Sequence, residues 1–139
     1  MYSKFMLEII TSEKQFFIGE VEEIILTSMD GEFGIEKTHH PAVVAIENGI
    51  LRLRIDGEWK EAACSEGFAD IMPHKVLIMV QEINWPENIE IDKVQAEIKK
   101  AEEQLRDKRN MLEYKLGKES LARASAKLKV KSRYRSDKL

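Results

Sequence analysis

The sequence predicts an α+β chain: an N-terminal β-sandwich followed by a C-terminal antiparallel two-helix hairpin. Up to about Asn84, short runs rich in β-branched and aromatic residues alternate with turn signals. After Trp85-Pro86 the apolar spacing changes to three and four, the period of a helix. Gly117 then falls between two such helical seams, where a left-handed residue can stop one helix.

The strands follow in order. KFMLEIIT (4–11), QFFIGEVEEIILT (15–27), AVVAI (42–46), GILRLRI (49–55), EWKEAAC (58–64), GFADIM (67–72) and KVLIMVQEI (75–83) are the predicted strands. Asp30-Gly31, Asn48-Gly49, Asp56-Gly57 and Pro73 mark turns between them. In GILRLRI, Leu51, Leu53 and Ile55 alternate with Arg52 and Arg54, giving one buried and one wet face. Many short strands at this spacing imply a sandwich.

The helices come next. Ile91, Val94, Ile98, Ala101, Leu105, Leu112 and Leu116 form a seam along a helix of about 25 residues. Asp92 with Gln95 fits a capping box at its start. A second, weaker helix has Leu121, Ala124 and Leu128 as its seam. So little apolar surface must offset the entropy of ordering a whole helix that docking should be marginal. The expected division is residues 1–85 for the sandwich and 86–139 for the hairpin.

Composition excludes several classes. With 139 residues, 43% hydrophobic and 34% charged, the chain suits one or two small domains. It has no apolar run of spanning length and no signal-like N-terminus, so direct membrane insertion is not expected and the chain should stay on the cytosolic side. The lone Cys64 cannot form an internal disulfide and lacks a catalytic or metal partner at useful spacing. Catalysis needs a nucleophile with its base, a ligand cluster or a phosphate loop; none is recognisable, so no catalytic or metal residues are assigned.

Charge is unevenly spread. From Lys118 to Leu139, eight Lys or Arg stand against two acidic residues, a balance of +6 that leaves −9 for the rest. Either this is a solvated helix face, or the tail seeks an acidic partner. A small sandwich-plus-hairpin module binding nucleic acid or another acidic partner through the tail is therefore the alternative reading. The sandwich offers no basic-aromatic surface in its support.

The segments LEIITSEKQFFIGEVEEIILTSMDGEFGI, THHPAVVAIENGILRLRI and IDKVQAEIKKAEEQL together resemble the epsilon subunit of the F-type rotary ATP synthase, the mitochondrial delta equivalent. The resemblance spans nearly the whole chain. It implies a non-catalytic central-stalk subunit on the cytoplasmic side of the cell membrane, whose partners are the gamma subunit, the c-subunit ring and the alpha and beta subunits. Such a subunit couples proton or sodium translocation to ATP synthesis. Its C-terminal helices, when extended, inhibit ATP hydrolysis.

The resemblance also assigns residues. Glu32 and His39 align with positions that contact the c ring, although Lys37-Thr38-His39-His40-Pro41 departs from the family's Pro-Gly-His-Ala-Pro. Arg123, Lys127, Lys129 and Lys131 are the candidate inhibitory contacts; residues 127, 129 and 131 cannot all share one helical face. Some bacterial members bind regulatory ATP through Ile or Leu, Asp, two variable residues, Arg and Ala. Here Ile91, Asp92 and Ala96 match, but Gln95 replaces the arginine, and Lys93 or Arg123 is the candidate compensating cation. A glutamine carries no charge for phosphate, so no cofactor is expected beyond weak regulatory ATP. Phe16, Phe17, Met29, Phe33 and Ile35, clustered near turns, suggest an apolar docking patch, with core packing the expected fate of at least half of them.

Overall fold

The computed structural model describes residues 3–137. Its strands are β1 (Phe5–Ile10), β2 (Gln15–Val21), β3 (Glu23–Ser28), β4 (Gly31–Ile35), β5 (Ala42–Ile46), β6 (Gly49–Ile55), β7 (Glu58–Cys64), β8 (Gly67–Ile71), β9 (Lys75–Val80) and β10 (Ile83–Asn84). A short 3-10 turn, Pro86–Asn88, leads to α1 (Ile91–Arg106) and α2 (Met111–Asp137). The first sheet runs β2-β1-β9-β8-β5 and the second β10-β7-β6-β3-β4. Among the described residues, only β1 and β9 pair in parallel.

Alternation along each strand builds the core. Leu7, Ile9 and Ile78 of the first sheet meet Ile24, Leu26, Leu51 and Leu53 of the second, all fully buried. The run 15–27 is two strands, not one. Glu22 is where the chain leaves the first sheet for the second: its amide donates to the Arg54 carbonyl at 2.8 Å, and its carboxylate accepts the Gly57 amide at 2.7 Å. A buried acid that accepts a backbone hydrogen bond is tolerated at the corner. The Asp56-Gly57 turn supplies that amide with φ of 51° and 81°, the primed-turn region that Gly adopts at no steric cost.

Strand β4 was not expected. Gly31 and Gly34 weaken strand propensity, yet the ladder with β3 pairs Leu26 with Phe33 and Ile24 with Ile35, and burial of Ile35 fixes its register. Arg54, expected on the wet face, is buried; it pairs with Glu23 at 2.9 Å and lies over the Trp59 ring at 5.1 Å.

The hairpin departs from expectation in three places. The chain reverses at residues 107–110, not at Gly117. The Asp107 carboxylate accepts the Arg109 amide and the Asn110 side chain accepts the Glu113 amide, each at 3.1 Å, so Asn110 caps α2. Gly117 lies inside α2 because α1 passes close by: a Cβ there would stand 3.0 Å from the Ala101 carbonyl oxygen and 2.9 Å from Gln104 Cβ. At the start of α1 the cap position is Glu90, without a side-chain cap, so the Asp92 capping box does not form.

The hairpin rests on the outer face of the second sheet. Ala63 of β7, Ile89, Val94 of α1, and Ala124, Ala126 and Val130 of α2 form a second, smaller core. Leu121 and Leu128 are half-buried, so alanines and a valine carry the closest contacts.

Candidate functional site

The interface between α2 and the rest of the molecule joins the small apolar contact of Ala124, Ala126 and Val130 to a set of cations meeting oxygen atoms. Lys127 is only 8% exposed, and its ammonium sits 2.7 Å from Glu82, on the turn after β9, and 3.2 Å from Glu97 of α1. One lysine thus clasps three elements. Burial alone would lower the Lys127 pKa, but the hydrogen bonds and charges of Glu82 and then Glu97 outweigh it and hold it above the ordinary lysine value. For Glu82, burial pulls upward, yet Lys127, Asn84 and Arg123 bring the pKa below the usual carboxylate value.

Further along α2, Lys131 donates to the Pro86 carbonyl at 2.9 Å and Arg133 pairs with Glu61 of β7 at 2.7 Å. Of the four candidate inhibitory cations, Lys127 and Lys131 are therefore engaged in the folded hairpin. Lys129 is exposed, and Arg123 donates to Ser120 of its own helix at 3.1 Å. Sequence reading missed Glu61, Glu82 and Glu97. The acidic balance of residues before Lys118 was a signal for such partners, but which acids would meet the tail depends on the docking angle.

The candidate nucleotide residues are not brought into one cleft. Arg123 lines a cleft of about 230 Å³ with Lys100, Glu82 and Glu97, and Ile91, Asp92 and Ala96 lie outside that lining. Asp92 and Ala96 are exposed on α1. The two carboxylates beside Arg123 counter its attraction for phosphate.

The candidate ring contacts stand at opposite ends of β4. Glu32 lies next to the Met29-Asp30 turn and is paired with Arg52 at 2.6 Å. His39 lies beyond the other end, its ring 5.2 Å from Phe33 and its Nδ1 2.8 Å from the His40 carbonyl, to which it donates. His74, remote in sequence, shares a cleft of about 300 Å³ with His39. Among the described residues no group of three His, Cys, Asp or Glu is placed to hold a metal. Burial pushes the Cys64 thiol up to about 12, so it stays protonated and unreactive.

The turn-side aromatic patch is mostly consumed internally. Ile35 is in the core and Phe33 packs against it; Phe16 stacks on Trp85 at 4.7 Å and Phe17 meets its edge at 6.4 Å. Met29 alone of this group stays fully out. A different apolar surface is open: the outer face of the first sheet, remote from the hairpin. There Ile18 (57% exposed), Phe68 (54%) and Val43 (69%) accompany Met79 and half-buried Ile10 and Leu77. Strand pairing sets Ile10 beside Met79, and Met79 beside Phe68, in one row.

Comparisons with known proteins agree with this architecture. The family described as the ATP synthase delta/epsilon chain β-sandwich domain matches residues 4–86. The ATP synthase epsilon chain of Ruminiclostridium cellulolyticum is 44% identical over 131 residues, 94% of this chain and 98% of that one. That of Caldanaerobacter subterraneus subsp. tengcongensis is 41% identical over 135 residues, covering 96% and 98%. A chain in the Euglena gracilis mitochondrial ATP synthase OSCP/F1/c-ring structure superposes with a TM-score of 0.76 at 20% identity, over 88% of this chain and 78% of that one, a likeness of fold. None of these supports the nucleic-acid reading. A sandwich matched from end to end, with relatives above 40% identity over almost the whole of both chains, places this protein in the ATP synthase delta/epsilon family, as a non-catalytic subunit.

Proposed function

We propose that this chain is the regulatory central-stalk subunit of its ATP synthase, peripheral on the cytoplasmic side of the cell membrane. The exposed apolar face of the first sheet docks on the gamma subunit. Glu32 and His39 face the c ring, and ion-driven rotation passes through the sandwich. The hairpin brakes ATP hydrolysis when it leaves the second sheet and offers Arg123, Lys127, Lys129 and Lys131 to alpha and beta. Any ATP bound through Ile91, Asp92, Ala96 and Arg123 in the folded form is bound weakly.

The observation that supports this most directly is the Lys127 clasp. A cation held between the carboxylates of a turn and of α1, beside an apolar contact of only two alanines and a valine from α2, is an interaction that an acidic partner surface can replace. The folded and extended forms then compete for the same charges, and a modest difference in affinity shifts the population.

Substitutions on the two sides of the clasp should act with opposite signs. In the assembled complex, Glu82→Gln with Glu97→Gln leaves Lys127 buried and unpaired in the folded form, so the extended form gains and ATP hydrolysis falls. Arg123→Gln weakens the brake, and hydrolysis rises. ATPase assays on complexes of verified subunit content decide this; the same direction of change in both variants would sink the reading. A tagged chain should also bring down gamma, alpha and beta.

A further inference from the structure

The open face of the first sheet carries a charge that no other group of the chain meets. Strand pairing sets Ile18, Glu8, Leu77, Asp70 and Val43 side by side in one row across β2, β1, β9, β8 and β5. The adjoining row holds Ile10, Met79 and Phe68, each two residues along its strand and so on the same face. Two carboxylates therefore stand in an apolar field, and their surroundings differ.

Glu8 is satisfied from within. Gln15 Nε2 donates to it at 2.8 Å, and the Lys75 ammonium lies 3.6 Å away. Lys75 sits on β9, between β1 and β8, and its ammonium is turned to the β1 side. Asp70, half-buried on β8, has neither a hydrogen bond nor an ion pair among the described residues. Leu77 and Val43 flank it across the strands and Phe68 along its own, and none of these side chains has a hydrogen to donate.

In the free chain, water solvates this carboxylate. A partner that covers Val43 and Phe68 removes that water, and a carboxylate desolvated without a compensating charge opposes docking. A wholly apolar partner is rejected on that ground, and an anionic surface by repulsion as well. The face fits a partner whose apolar side chains surround one cation.

We infer that Asp70 is the charge-selective contact of the first sheet, pairing with an arginine or lysine of the gamma subunit, a contact that rests on the docking of gamma to this face proposed above. Arginine suits it best, because a guanidinium can meet both carboxylate oxygens at once. The apolar row then supplies area, and Asp70 sets the register and the choice of partner.

Full-length chains can be bound to an immobilised core of alpha, beta and gamma assembled without this subunit, and their affinities compared. Phe68→Ser tests the docking; Asp70→Asn keeps the shape, removes the charge and tests the contact. Asp70→Asn should bind about thirtyfold more weakly, the scale of a desolvated pair that loses one member. Glu20→Gln, the same loss of charge on the exposed edge strand β2, should change affinity by about threefold or less. Asp70→Lys should not bind, and in a scan of gamma lysines and arginines to glutamate one variant should restore it. Thermal melts identify any variant that fails to fold, and the gamma scan still tests the contact from the other side. Loss in Phe68→Ser with full affinity in Asp70→Asn overturns the inference and leaves the docking reading standing. Full affinity in both overturns the two together; if the free chain then sediments as a dimer that Phe68→Ser breaks, the face belongs to a second copy. Equal weakening in Glu20→Gln and Asp70→Asn, or a gamma scan in which nothing restores Asp70→Lys, would replace the local pair by a diffuse field and overturn the inference alone.

Discussion

Lys127 shows how one residue can hold a large element conditionally. Its partners set the pH window of the clasp. The Glu82 pKa is lowered in the folded form, so its contribution is present above the unfolded carboxylate value and is lost as pH falls through the folded one. The Lys127 pKa is raised, so its contribution is complete below the unfolded lysine value and is lost as pH rises through the folded one. Between about pH 5 and 10, bracketed by ordinary carboxylate and lysine values, the clasp should therefore be insensitive to pH. Amide exchange of α2 measured across pH, corrected for intrinsic exchange, checks this; a transition near neutrality would point to a histidine instead. Because Glu82 and Glu97 are nearly half exposed, screening limits the clasp. Lys127→Met should shift the hairpin equilibrium by about 1 kcal/mol, near the upper end for solvent-screened pairs.

At the scale of the element, Gly117 and Asn110 decide how the hairpin closes. A methyl group at residue 117 meets the Ala101 carbonyl and the Gln104 and Leu105 side chains, so Gly117→Ala must push α1 and α2 apart. The cost, about 1–3 kcal/mol for overpacking, exceeds the gain of roughly 1 kcal/mol in helix propensity. Faster exchange in both helices, with the sandwich strands unchanged, is the expected result. Asn110→Ala removes the α2 cap and should cost about 1 kcal/mol, seen as fraying of the first turn of α2. Both positions were readable in principle. Asn110 followed three residues later by Glu113 is a helix-start pattern, but the apolar step from Leu105 to Leu112 equals one heptad and carried the helical period straight through the turn.

At the scale of the whole molecule, the two faces of the sandwich have different fates. The hairpin covers the second sheet, and the first sheet keeps an apolar row in solvent. A face of that kind calls for a partner more than for stability. Phe68→Asp should reduce co-purification with gamma while leaving thermal stability nearly unchanged, since an exposed site is usually worth within about 0.5 kcal/mol. Loss of stability together with intact gamma binding would show that the row serves the fold rather than the docking. Core packing, expected for at least half of the turn-side group, takes in Phe16, Phe17, Phe33 and Ile35, and Trp85 arrives from 68 residues beyond Phe17 to cover the first two.

Local chemistry in the sequence was enough to determine that short strands precede a helical hairpin, that the Asp56-Gly57 turn is tight, and that the tail is basic. These depend on neighbours within a few residues, through alternation, turn conformation and charge count. Tertiary structure alone decided that Glu22 turns the chain between sheets, that Glu82 and Glu97 close on Lys127, and that Glu32 and His39 stand at opposite ends of a strand. Each of those outcomes depends on how far apart residues meet in space, and the angle at which a hairpin settles on a sheet is set by the sum of many packing contacts rather than by any local pattern.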